Sequence, residues 1–243
     1  MSDSFLQAIQ KSKGTDARAN TLACYETPLV TVDIVLFTVL HNSLNVLLIQ
    51  RRQPPFDNMW AIPGGFIHTG ETLEQAASRR LLEETSVRNI YLEQLGSFGA
   101  PNRDPRARVI TVAYYALVSA ERLHLEASAN ALDVGWFNVN KLPELAFDHR
   151  DIVQNALKTL RTNLEETSLA FQLLPEKFTL TELQRVYELI LGISLDKRNF
   201  RKKILATELL FDVGETKMEG YHRPAQLYSF RNPEQDVVIR NAS

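Results

Sequence analysis

The first half of the chain repeats apolar positions at strand spacing. Residues 29–40, LVTVDIVLFTVL, form a β-branched run that predicts a strand, interrupted by one charge at Asp33. A turn at His41–Ser43 separates it from a second strand, Leu44–Gln50, which ends at Arg51 and Arg52. Turn chemistry over 53–58 (QPPFDN) precedes a short strand, Trp60–Phe66, bent by Gly64 and Gly65. The period then changes: Leu73, Ala76 and Ala77 make a helical stripe, with Arg79 off it. Strand-like runs return at Ile90–Leu95, Val109–Leu117 and Leu132–Phe137, and residues 101–108 (PNRDPRAR) make a loop with three arginines. A further helix opens near Ala146 and carries Ile152, Ala156, Leu157 and Leu160. The pattern predicts an α/β (α+β) sandwich over residues 23–161. It follows an N-terminal extension, residues 1–22, that reads as a short amphipathic helix and a connector.

The pattern over 162–243 is different and predicts a second domain. Thr179 and Glu182 have capping-box spacing, and Leu183, Val186, Tyr187, Ile190 and Leu191 keep helical period until Gly192 stops it. A second helix begins a few residues later, with Phe200 and Ile204 on one face and Arg198, Arg201 and Lys202 roughly opposite. Two strand-like runs come next, Leu209–Val213 and Ala225–Phe230, joined by a loop holding Lys217, His222 and Arg223. Helix, tight turn, basic helix and hairpin, in that order, predict a winged helix-turn-helix.

Composition narrows the setting. With 44% hydrophobic and 23% charged residues the chain can build a globular core. A single cysteine, Cys24, excludes an internal disulfide and suits a reducing cytoplasm. The first residues lack the apolar stretch of a signal peptide, and the run at 29–40 is too short to span a bilayer, so no membrane contact is expected. The five histidines show no ligand spacing, and no zinc site is expected. A net charge of −2 argues against a general polyanion binder, but Lys197, Arg198, Arg201, Lys202 and Lys203 crowd one short stretch. Such like-charge crowding costs stability unless a polyanion relieves it.

Residues 64–87, GGFIHTGETLEQAASRRLLEETSV, carry the densest chemistry. Gly65, Glu71, Arg79, Leu81, Glu83, Glu84 and Val87 stand in the register of the Nudix box, which this stretch resembles. Seven such matches by chance are rarer than roughly one in a million at ordinary composition. Two positions depart: Arg80 stands where the box has Glu, and Ser86 where it has Gly. A pyrophosphate-cleaving site needs a divalent cation held by hard carboxylate oxygens. Carboxylates at 80, 83 and 84 would share a helix face. Arg80 instead brings a permanent cation, worth roughly 4 kcal/mol against a metal ~4 Å away. That is about three powers of ten in affinity. Arg80 is also one turn from Glu84 and within reach of pairing with it. The alternative is that Arg80 points to solvent and another carboxylate holds the metal.

The two halves together resemble the Nudix-related transcriptional regulators of NAD metabolism, the NrtR family. The strings FGAPNRDPRARVI (98–110), LAFDHR (145–150), FTLTELQ (178–184), LDKRNFRKK (195–203) and RPAQLYSF (223–230) carry the likeness. Pro101 and Pro105 resemble the ADP-ribose branch of Nudix proteins. The resemblance implies a homodimeric repressor that binds a palindromic double-stranded DNA operator. It implies ADP-ribose, or a related NAD-derived nucleotide, as effector, with no required cofactor, no bound metal and no catalytic residue. Arg51, Arg52, Arg79 and Arg106 are candidates for phosphate, Arg80 for direct nucleotide contact, and Glu71, Glu83 and Glu84 for ribose hydroxyls. Arg79 fits a second role equally well, bracing Glu71. On DNA the expected contacts are Lys197, Arg198, Asn199, Arg201 and Lys202 in the major groove, with Lys217, His222 and Arg223 on backbone or minor groove. The competing expectation is a magnesium-dependent ADP-ribose or ADP-sugar pyrophosphatase.

Overall fold

A computed structural model of the chain describes residues 27–88, 90–119, 131–164, 168–218 and 224–231. The expectations for residues 1–22, His222 and Arg223 lie outside the described residues.

The long apolar run forms β1 (Leu29–Leu40), and His41 and Asn42, both at positive φ, turn it into β2 (Ser43–Arg51). That is the hairpin geometry whose twist matches the flanking strands. The short strands β3 (Trp60–Ala61) and β4 (Gly64–Phe66) lead into α1 (Leu73–Thr85). Next come β5 (Glu93–Phe98), β6 (Val109–Leu117), β7 (Ala131–Asn138) and α2 (His149–Asn163). The mixed sheet runs β3-β2-β1-β6-β5, with β4 beside β1 and β7 beside β2. Its centre is the parallel pair β1 and β6, in register from Leu29 with Val109 to Phe37 with Leu117.

Because side chains alternate across a strand, one run serves two cores. Val32, Ile34 and Leu36 pack with Ala76, Ala77 and Leu81 of α1. Val35 and Phe37 pack with Ile152, Val153, Ala156 and Leu160 of α2. Asp33 therefore falls on the α2 side, 5% exposed, the one charge in a doubly buried strand. The expected strand at Ile90–Leu95 begins later, at Glu93. Ile90 and Leu92 are apolar because they pack against the α1 core, not because they pair in the sheet.

Helix α1 starts with a reciprocal cap between Thr72 and Gln75, readable from the T-x-x-Q spacing. It ends at Ser86 in the left-handed conformation. Glycine reaches that conformation without penalty, which accounts for the box's preference there; serine at φ 61 carries a cost of about 1–2 kcal/mol.

The second unit is α3 (Leu180–Leu191), α4 (Lys197–Ala206), β9 (Leu210–Lys217) and β10 (Ala225–Phe230), with a short β8 (Phe178–Thr179) completing a β8-β10-β9 sheet. The capping box forms as expected: Glu182 N–H donates to Thr179 Oγ1 at 3.1 Å, and Thr179 N–H to the Glu182 carboxylate at 2.7 Å. Gly192 ends α3 at φ 73. Leu183, Ile190, Phe200, Ile204 and Leu210 form its core, continuous with the α2 face of the sandwich. Helix α2 runs to Asn163, past the expected domain boundary at 161. No helix among the described residues is long and apolar enough to cross a membrane.

Candidate functional site

Two glycines build the cleft. β4 lies antiparallel beside β1, with Gly64 opposite Asp33 and Gly65 opposite Val32. A Cβ at Gly64 would stand 2.2 Å from Asp33 Oδ1, and one at Gly65 2.7 Å from the Arg80 guanidinium carbon. Glycine at 64 lets the Asp33 acid of β1 close on this strand, and glycine at 65 meets the φ of 155 there beside the Arg80 cation of α1. Asp33, Arg51, Glu84, Arg103, Arg106 and His149 line the resulting cleft, with Phe66 and Phe147 at its edge. Its volume is about 70 Å³. That suits a phosphate-sized group rather than a whole nucleotide, for which pockets run to ~300 Å³ or more.

Arg103, 4% exposed, organises the floor. Its Nε and Nη2 donate to the two oxygens of Asp148 at 2.9 and 2.7 Å, and Nη2 also reaches Asp33 Oδ2 at 3.2 Å. His149 Nδ1 accepts from Ile62 N–H at 3.2 Å, and Nε2 stands 3.8 Å from Asp33 Oδ1. Burial pushes the His149 imidazole below its ordinary pKa, so it stays neutral. Arg51 donates to the carbonyls of Pro55 and Gln53, and its guanidinium lies 4.8 Å above the Phe147 ring. Arg106 is held by both oxygens of Asp104 and sits 5.4 Å above the Phe66 ring. Burial lowers the pKa of Arg51, and the nearby Arg106 lowers it further. Two cations so placed favour an anion between them.

The box side chains do not converge on an open metal position. Glu71 is taken up by Arg79 through two hydrogen bonds, 2.6 and 2.9 Å, and also accepts from His68 N–H. The Arg79 guanidinium holds the Glu71 carboxyl down at about 2. Arg79 also reaches Glu83 at 3.1 Å, and Arg80 reaches the same Glu83 oxygen at 3.4 Å and the Phe66 carbonyl at 3.3 Å. Glu84 is 7% exposed and accepts from Gly64 N–H at 2.9 Å; burial pushes its carboxyl up to about 7. Among the described residues no three His, Cys, Asp or Glu side chains are grouped to hold a metal ion. With an arginine at position 80, Glu83 shared between two arginines and Glu84 buried and part-neutral, the box face does not fit a divalent cation.

The second candidate face is α4. Asp196 caps it, accepting from Asn199 N–H at 2.8 Å, and Phe200 and Ile204 bury its inner side. Lys197, Arg198, Asn199, Lys202 and Lys203 are exposed. Arg201 is half-buried and donates to Thr181 Oγ1 at 3.4 Å. The helix holds no acidic residue, and two of its cations stand in the first turn, where the helix dipole disfavours positive charge. A phosphate backbone removes that cost.

Comparison with known proteins joins the two faces. The NUDIX domain model matches residues 27–156, more than half of the chain, and the NrtR DNA-binding winged helix domain model matches residues 170–230. The ADPR responsive transcriptional repressor NtrR of Acinetobacter baylyi is 40% identical, over 87% of this chain and 86% of its own. The chain belongs to the NrtR family. A crystal structure of Shewanella oneidensis NrtR complexed with a 27mer DNA is 38% identical, with a TM-score of 0.71 over 83% of this chain and 93% of that one. The NUDIX domain of the same protein complexed with ADP ribose is 38% identical, with a TM-score of 0.52 over 66% of this chain and 99% of that one.

Within that family frame, the expected nucleotide residues divide. Arg51, Arg106 and Glu84 line the cleft. Arg80 stands beside it at Gly65 and Phe66, and its ion pair is with Glu83 rather than Glu84. Arg79 takes the bracing alternative, and Glu71 and Glu83 are its partners rather than cleft walls. Arg52 is turned away and donates to the Ala131 carbonyl at 3.2 Å. Lys217, expected in the wing loop, instead ends β9, and its ammonium pairs with Glu182 at 2.7 Å. Sequence reasoning passed over Asp33, Arg103, Asp148 and His149. A lone acid inside the apolar run of 29–40 was the available signal for Asp33. Nothing local marked Arg103 above the other arginines of its loop.

Proposed function

We propose that this chain is a cytoplasmic, homodimeric transcriptional repressor of NAD-metabolism genes, with ADP-ribose as its effector. The α4 cations, Lys197, Arg198, Arg201 and Lys202, dock on a palindromic operator, and Arg51 and Arg106 take the pyrophosphate of the nucleotide. The observation that carries the reading is Arg80, which stands where the box has an acid and pairs with Glu83. The Nudix cleft therefore keeps its anion-binding wall and lacks one carboxylate of a hydrolase's donor set. The DNA-bound and ADP-ribose-bound relatives support assigning both ligands to one chain.

Linkage makes the test direct: if nucleotide changes operator affinity, operator changes nucleotide affinity by the same factor. Mobility-shift titration of a palindromic promoter fragment with and without saturating ADP-ribose is expected to show a change of about fivefold or more. Unchanged operator affinity rejects the switch. Incubation of the native protein with ADP-ribose and magnesium separates the hydrolase reading, since cleavage releases two phosphate monoesters and mere binding releases none.

A further inference from the structure

Helix α2 runs from the nucleotide cleft to α3, the helix that precedes the basic one, and its two ends are held by different chemistry. At the N-terminal end Asp148 occupies the cap position without capping its own helix. Its carboxylate is committed to Arg103, which also holds Asp33 in the nucleotide cleft. The next residue, His149, lines the cleft itself. At the other end Arg161 leaves α2 and donates from Nε to the Ile190 carbonyl at 2.8 Å. That carbonyl lies in the last turn of α3, where backbone acceptors have no partner within the helix and a cation is favoured by the dipole.

The attachment point matters because the turn to α4 begins beside it. Gly192 ends α3 two residues after Ile190, and Arg161 Nη2 passes within 3.6 Å of where a Gly192 Cβ would stand. Helices α3 and α4 meet through the Tyr187 and Phe200 rings, 5.3 Å apart, and α3 also holds the turn at Leu195. Glu188 Oε1 accepts from Leu195 N–H at 2.9 Å, and Gln184 Nε2 donates to the Leu195 carbonyl at 2.9 Å. A shift of the α3 end therefore carries the basic helix with it. Between its ends α2 is 15 residues long, about 22 Å of straight helix. Its buried stripe, Ile152, Val153, Ala156 and Leu160, lies in the core shared by both domains.

We infer that α2 is the lever coupling the two sites, with Arg161 as the positioning residue that passes cleft movement to the turn before the DNA-binding helix. A nucleotide anion near Arg103 competes with Asp33 and Asp148 for its guanidinium and moves the Asp148 end of the lever. Arg161 delivers that movement to Ile190 without touching nucleotide or DNA. This inference rests on the two-ligand reading above.

The test measures the full chain with both ligands. Operator affinity is determined with and without saturating ADP-ribose, and ADP-ribose affinity in free protein, for the native chain, Arg161→Ala and Arg161→Lys. Arg161→Ala is expected to bind each ligand alone within about threefold of native, while the operator-affinity ratio falls at least about fivefold toward unity. Arg161→Lys keeps a donor and a charge and is expected to recover part of the ratio. A native-like ratio in Arg161→Ala overturns the lever. If the native chain itself has a ratio of one, the repressor switch fails instead, which keeps the two failures apart. Should Arg161→Ala not fold, amide exchange over residues 190–195 of the native chain decides. ADP-ribose is expected to change protection there, and unchanged exchange overturns the proposal.

Discussion

Replacing Glu84 by glutamine isolates one consequence of the cleft. The side chain is buried under β4, its Oε2 accepting from Gly64 N–H at 2.9 Å, and its carboxyl stands at about 7 against an ordinary 4.5. Burial is the main cause, partly opposed by the Gly64 hydrogen bond and by the charge of Arg80. Below pH 4.5 both folded and unfolded chains hold the proton, and Glu84 makes no pH-dependent contribution. Between 4.5 and 7 the unfolded chain releases it while the folded chain keeps it, so stability falls as pH rises. Above 7 the full penalty is present. Raising a carboxyl from 4.5 to about 7 corresponds to roughly 3 kcal/mol. Glutamine is neutral throughout, and its carbonyl can still accept from Gly64. Urea unfolding of both proteins at fixed ionic strength, from pH 4.5 to 8, reads the difference directly. The Glu84→Gln chain is expected to match the native one near pH 4.5 and to exceed its stability by roughly 3 kcal/mol at pH 8. Burial holds the His149 imidazole below its ordinary pKa in both proteins, so its contribution cancels from the comparison. A difference that stays constant with pH, or a native chain more stable at pH 8, refutes the burial argument.

Arg103→Met strands Asp33 and Asp148 in the interior, and removing one partner of a buried ion pair costs about 3–5 kcal/mol. The urea midpoint of that variant should drop accordingly; a loss below ~1 kcal/mol would put the cluster in the class of surface pairs. On α4, Arg201→Ala and Lys202→Ala are each expected to weaken operator binding and to flatten the salt dependence by about 0.9 in log–log slope per lost phosphate contact. Slopes equal to the native one would place those side chains off the DNA backbone.

The sequence by itself determined everything that short-range physics decides. The strand at 29–40, the capping box at Thr179 and Glu182, the stop at Gly192 and the basic face of residues 197–203 rest on periodicity and caps, which involve neighbours only. The box register did the same for Gly65, whose φ of 155 is one that side-chain-bearing residues rarely adopt. Tertiary structure decided what each charge does. Arg79 binds Glu71 rather than an open cleft, and Lys217 meets Glu182 across 35 positions. Arg103 finds Asp33 and Asp148 across 70 and 45 positions. A charged side chain takes its role from the partner a few ångströms away and from how much water it has lost. Both quantities appear only once distant segments pack together.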